Sequence, residues 1–173
     1  MMEKLLALFA DILDYPGPGL AEVTRRCEEE AGAGAAGGTD AVDALREFRR
    51  FVSETPREKL EETYTETFDL GVERCPYVGW HLFGEGQSRS RFMQELNARY
   101  RARGFSAGSE LPDHLPLMLR FVSACDDPAE REEILREAIE PAVGKMTAGA
   151  AASGYDLALK ALSAALKGVR KGV

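Results

Sequence analysis

Leu5, Leu8, Phe9, Ile12 and Leu13 recur at i, i+3, i+4, i+7 and i+8, the spacing that lines one side of a helix. Asp14-Tyr-Pro-Gly-Pro18 then stops it. A second helical segment from about Gly19 to Glu30 gives way to a run of alanine and glycine. Those glycines make a fixed backbone costly, which predicts a flexible surface connection near residues 31–38. Val42, Leu45, Phe48 and Val52 repeat the helical stripe. Thr55-Pro-Arg-Glu58 has the form of a capping box with proline at the first helical position, and Leu60, Tyr64 and Phe68 follow on one face.

From Gly71 to Gly86 the periodicity breaks. Pro76, Gly79, Gly84 and Gly86 punctuate Tyr77, Trp80, His81, Leu82 and Phe83, an aromatic-rich irregular segment of the kind that carries function more often than packed helices do. Ser88 can cap the next helix, which carries Phe92, Leu96 and Tyr100 and ends at Gly104, a left-handed C-cap. Pro112 stands where another helix can start, with Leu115, Met118, Leu119 and Val122 as its apolar face. Asp127-Pro-Ala-Glu130 caps a helix with Ile134, Leu135, Ala138, Ile139 and Val143. Ser153 precedes a last one with Tyr155, Leu159, Leu162, Leu166 and Val169. No segment alternates β-branched residues, so the pattern predicts a single all-α domain over residues 1–173, a bundle of about seven or eight helices.

Composition narrows the function. The chain has 173 residues, 45% of them hydrophobic, enough for one core. No apolar run approaches the roughly 20 residues of a membrane span, and the first residues lack a basic leader and cleavage site, so a cytoplasmic protein is expected. A net charge of −7 argues against nucleic acid as partner and suits a basic peptide. Cys27, Cys75 and Cys125 are odd in number and form no C-x-x-C pair, so neither a disulfide framework nor a zinc knuckle is indicated.

The phosphate-binding and zinc-protease signatures are absent, and the two histidines, His81 and His114, offer little for a triad or metal site. Around Glu110-Leu-Pro-Asp-His114 two readings stand. In one, Glu110 and Asp113 favour the positive end of a helix and His114 packs beside them. In the other, Glu110, Asp113 and His114 stand at the rim of a peptide groove, where carboxylates meet arginine, with Leu111, Leu115 and Met118 as apolar anchors. Tyr77, Trp80, Phe83, Tyr64 and Phe68 are core residues or groove walls. Arg89, near a helix start, is either solvated or paired with an acid elsewhere in the fold.

Taken together, Tyr64-x-x-x-Phe68-Asp69, Leu82-Phe83-Gly84, Arg89, Met93, Leu96, Tyr100, Gly104 and Glu110-Leu-Pro-Asp-His-Leu-Pro116 resemble the NarJ branch of the TorD-like redox-enzyme maturation chaperones. Leu13-Asp-Tyr-Pro16 resembles that family's opening helix and turn, and the resemblance covers roughly residues 2–125. It implies an all-helical monomer or homodimer, not an enzyme and without a cofactor of its own. Such a chaperone binds the N-terminal peptide of a molybdopterin-dependent catalytic subunit, often a vestige of a twin-arginine leader. It keeps that client receptive until the molybdenum cofactor delivery machinery has acted. The Pro-Asp-His element implicated in client binding falls on Pro112, Asp113 and His114, with Glu110 before it. The client-binding candidates are therefore Glu110, Leu111, Pro112, Asp113, His114, Leu115, Met118, Tyr64 and Trp80. Arg89 is followed by Ser90 where the family commonly has glycine. A different class, a small helical enzyme or nucleotide-binding module with His114 as general base beside Asp113, lacks any phosphate cradle in the sequence.

Overall fold

The first apolar stripe forms α1 (Met2–Ile12), and it is wider than its spacing suggests, because Leu6 and Ala10 are buried together with Leu5, Leu8, Phe9 and Ile12. A helix apolar nearly all round belongs inside a core. In this computed structural model α1 lies between α2 (Leu20–Ala33) and α7 (Leu115–Ala124). Residues 2–34, 38–150 and 154–171 are described, the last three as backbone only. α3 (Gly38–Glu54) buries Ala41, Leu45, Phe48 and Val52 against α2 and against α10 (Tyr155–Lys171). α10 in turn buries Tyr155, Leu159, Leu162 and Leu166 and also touches α9 (Glu140–Thr147). At roughly 1.5–3 kcal/mol for each fully buried large apolar side chain, these faces drive assembly of the bundle.

Two helices widen locally. α4 (Arg57–Tyr64) runs on into a π-helical turn over Thr65–Asp69, and α8 (Pro128–Ile134) passes through another over Leu135–Ile139 into α9. Both follow from spacing. Leu60, Tyr64 and Phe68 recur every four residues, as do Ile134, Ala138 and Ala142 with Leu135, Ile139 and Val143. A strict four-residue repeat drifts by about 40° per repeat around an ideal helix of 3.6 residues per turn. A wider turn, with its i→i+5 bonds, keeps the row facing the core.

The remaining elements are a 3₁₀ turn at Val72–Arg74, the short α5 (Val78–Phe83) and α6 (Gln87–Ala102). The all-α bundle expected from the pattern is what the structure shows, and α5 adds a short helix inside the segment whose periodicity breaks. Asp127 caps α8 by accepting from the Ala129 and Glu130 amides, and Gly104 adopts φ +64° at the end of α6, both as expected.

Several terminal details differ from expectation. α4 follows Pro56 with no side-chain cap, so Thr55 and Glu58 do not form the box. α6 begins after Gly86, one residue before Ser88. Pro112 lies ahead of α7, whose N-cap is His114 and whose first turn carries Pro116. The Ala/Gly run is helical through Ala33, and Gly38 already opens α3; residues 35–37 and Ser153 lie outside the described residues, as does the Val169 side chain. No described helix is long and apolar enough to cross a membrane.

Candidate functional site

The segment before α5 and the segment before α7 meet as a single antiparallel bridge, Tyr77 opposite His114. The Val78 amide donates to the Asp113 carbonyl at 2.8 Å, and the Leu115 amide donates to the Pro76 carbonyl at 2.7 Å. The second bond gives the first turn of α7 its partner from another part of the chain, which is why no side chain caps that helix. A third tie comes from α6, where the buried Tyr100 hydroxyl donates to the Pro112 carbonyl at 2.7 Å.

Asp113 is fully buried and accepts two hydrogen bonds from Arg89, 2.8 Å from Nε and 3.3 Å from Nη2. Asp113 therefore neither caps α7 nor stands at a rim. Of the two readings open for Arg89, pairing with an acid is the one the fold realises, and the hydrogen bond to Asp113 raises the pKa of the guanidinium further. The guanidinium also lies 5.4 Å from the centre of the Tyr77 ring. The pair is fitted against Gly79, where an added Cβ would stand 2.7 Å from Asp113 Oδ2 and 3.0 Å from both Arg89 Cγ and Phe92 Cδ1. Only glycine leaves that space. Gly79 was visible in the sequence as a punctuating residue and nothing more, because its partners are remote in the chain.

Outside this clamp, Glu110 and Leu111 are exposed. The Glu110 carboxylate accepts from the Tyr77 hydroxyl at 3.3 Å and from the Leu111 amide at 2.9 Å. His114, only 7% exposed, packs its ring on Tyr77 at 5.6 Å and holds Nδ1 4.0 Å from Glu110 Oε2, beyond hydrogen-bond reach. Burial lowers its pKa below the ordinary 6.5, against the opposing pull of Glu110 and Asp14, while Arg120 adds to the lowering.

The other candidates separate by depth. Leu115 and Met118 face the core, and Pro112 is buried beneath the loop. Tyr64 is also buried, its hydroxyl donating to the Leu13 carbonyl at 3.1 Å within an aromatic cluster with Tyr15, Phe68 and Tyr155. Trp80 is half-buried on α5. At the far end of α5, Leu82, Phe83, Phe92, Leu96, Ile134 and Ala138 line a groove of about 180 Å³. Among the described residues no group of His, Cys, Asp and Glu could hold a metal ion, and the three cysteines are free thiols.

Comparison with known proteins places the chain in a family. The family model described as nitrate reductase delta subunit matches residues 36–148, reaching past the point where the sequence motifs end and into α9. Of the curated proteins, the chain is 29% identical over 119 residues to the nitrate reductase molybdenum cofactor assembly chaperone NarJ of Escherichia coli K12, covering 68% of this chain and 50% of that one. It is 39% identical over 88 residues to a probable NarJ chaperone of Bacillus subtilis, covering 50% and 47%. It is 28% identical over 138 residues to a probable chaperone NarW of Escherichia coli K12, covering 78% and 56%. The chain thus spans about half the length of the curated relatives it matches. With the family model covering well over half of it, the chain belongs to the nitrate reductase delta subunit family, in the NarJ branch to which its Tyr64–Asp69 and Glu110–Pro116 motifs point.

Proposed function

We propose that the protein is a non-catalytic cytoplasmic assembly chaperone. It binds the N-terminal leader of a molybdopterin-containing catalytic subunit, nitrate-reductase-like, and holds it ready for cofactor insertion and complex assembly. The observation that carries this reading is the contrast between Glu110 and Leu111 and their support. An exposed carboxylate and an exposed leucine sit side by side on a loop whose backbone is fixed from behind by the bridge at Tyr77–His114 and the Arg89–Asp113 pair. A preordered loop loses little entropy when a peptide docks, so its few contacts yield usable affinity. The relatives' role in molybdenum cofactor assembly supplies the class of client.

Because Asp113 is buried, replacing it tests the fold as much as binding. The discriminating variants are on the surface. Titration calorimetry with a synthetic peptide of the N-terminal leader of a nitrate-reductase-type molybdoenzyme catalytic subunit from the same organism should give at least about tenfold weaker binding for Leu111→Ser than for wild type, from the loss of one buried leucine. Equal affinity would remove this loop from the client site, and no wild-type binding at all would sink the chaperone reading.

A further inference from the structure

Exposed apolar side chains scattered singly over a surface need no explanation, whereas a cluster does. Among the described residues five large hydrophobics are exposed: Tyr15, Leu70, Val72, Phe83 and Leu111. Three of them, Tyr15, Leu70 and Leu111, adjoin the residues around Tyr64 and Tyr77. Tyr15, 55% exposed, stacks edge-on against Tyr64 at 5.4 Å. Leu70, 73% exposed, ends the π-helical turn that begins just after Tyr64, and Val72 follows two residues on. Leu111, 43% exposed, adjoins Glu110, which is bonded to Tyr77. The buried Tyr64 hydroxyl lies close enough to Asp14, Asp69 and Glu110 to feel the charge of all three, and Tyr77 feels Glu110 and Asp69.

The three carboxylates are not equivalent. Asp14 is already held by Arg120 at 2.8 Å. Neither Asp69 nor Glu110 is paired with a lysine or arginine among the described residues, and the nearest cationic candidate, His114, is pushed toward its neutral form. These exposed apolar side chains are therefore accompanied by two unneutralised acids, Asp69 and Glu110, in a chain of net charge −7. A second copy of the chain would bring the same acids against them and be repelled.

We infer that Asp69 and Leu70, with Tyr15, form the second wall of the client site, opposite Glu110–Leu111. Its occupant is an amphipathic client helix that lays apolar side chains on Tyr15, Leu70 and Leu111 and places a lysine or arginine at Asp69 and another at Glu110. This rests on the client-binding function proposed above and adds the residues that select for basic leaders. The π-helical turn matters because it ends the Tyr64–Phe68 row at the point where Asp69 and Leu70 turn outward.

The test uses the full chain and a synthetic leader of about 20 residues, a helix of roughly 30 Å, in its native form and with lysine and arginine replaced by glutamine. Asp69→Asn and Glu110→Gln should each weaken binding of the native leader about threefold, as for exposed ion pairs. The double variant should lose about tenfold together with most of the salt dependence. The glutamine leader should bind wild type and double variant alike. Leu70→Ser should cost at least about tenfold, while Phe83→Ser, at the far end of α5, should bind as wild type. All of these positions are exposed, and unchanged thermal unfolding will verify that the variants fold. If wild type binds the leader but the Asp69 and Leu70 variants bind equally well with an unchanged salt slope, this wall is refuted and the Glu110–Leu111 site stands. If no leader binds, the function itself fails. A concentration-dependent dimer in sedimentation that Leu70→Ser abolishes would assign the face to self-association and overturn the inference.

Discussion

Replacing Gly79 by alanine adds one methyl group and should cost the protein more than most truncations on its surface. On helix propensity alone the change is favourable by about 1 kcal/mol. Against that stands the space: the new Cβ would lie 2.7 Å from Asp113 Oδ2 and 3.0 Å from Arg89 Cγ and Phe92 Cδ1. Asp113 cannot retreat without lengthening its two bonds to Arg89, and Arg89 cannot retreat without leaving Asp113 buried and uncompensated. Overpacking of this kind costs about 1–3 kcal/mol, and the weakened ion pair adds to it, so a net loss of about 2 kcal/mol is expected. For a chain of this size that is a fall in Tm of about 4–8 °C. Gly144→Ala is the matched control, since it lies within α9 and its added Cβ meets nothing within 4 Å. There the same substitution should raise stability by about 0.5–1 kcal/mol. Urea and thermal denaturation followed by circular dichroism measure both. Gly79→Ala as stable as wild type, with an unchanged denaturant slope, would refute the reasoning.

Asp113→Asn keeps the shape of the side chain but removes the charge facing Arg89, which is itself only 15% exposed, and should destabilise by about 3 kcal/mol in urea denaturation at pH 7; a loss below about 0.5 kcal/mol would mean that solvent screens the pair. His114 predicts a pH dependence. Its folded pKa is below 6.5, so the unfolded chain takes up the proton first and stability falls as pH drops below about 6.5, by at most about 1.4 kcal/mol per pH unit. His81, also lowered by burial, contributes in the same direction, and His114→Gln should flatten the profile of denaturation midpoints between pH 7 and 5 without abolishing it.

The helices were legible because burial repeats along a single strand of sequence. Leu5 with Phe9, Leu45 with Phe48, and Leu159 with Leu162 each announce the face they bury. Strict fourfold spacing accounts for where α4 and α8 widen, although the helical stripe alone did not say so. Helix starts were read less well. Thr55, Ser88 and Pro112 carry the right chemistry, but α4 and α6 begin without a side-chain cap and α7 is capped by the remote Pro76 carbonyl. The Glu110–His114 segment was recognisable as a place, yet its side chains divide in a way no spacing reveals. Asp113 turns inward to Arg89, 24 positions away, while Glu110 turns out. Arg89 was open to solvation or to an acid partner, and only the fold could decide between them and supply Asp113. Tyr15 and Asp69 stood in the motifs that carry the resemblance without being marked as exposed, and Leu70 gave no signal, since nothing local distinguishes a leucine left in solvent from one that will be covered.

The bridge between Tyr77 and His114 also sets when the site can come into being. Its two hydrogen bonds join segments more than 30 residues apart. Such non-local contacts form late, after the loop-closure entropy of the intervening chain has been overcome. On the client-binding function proposed above, the ordered Glu110–Leu111 loop, and with it the ability to hold another protein's unfinished chain, is expected only once this chain has itself finished folding.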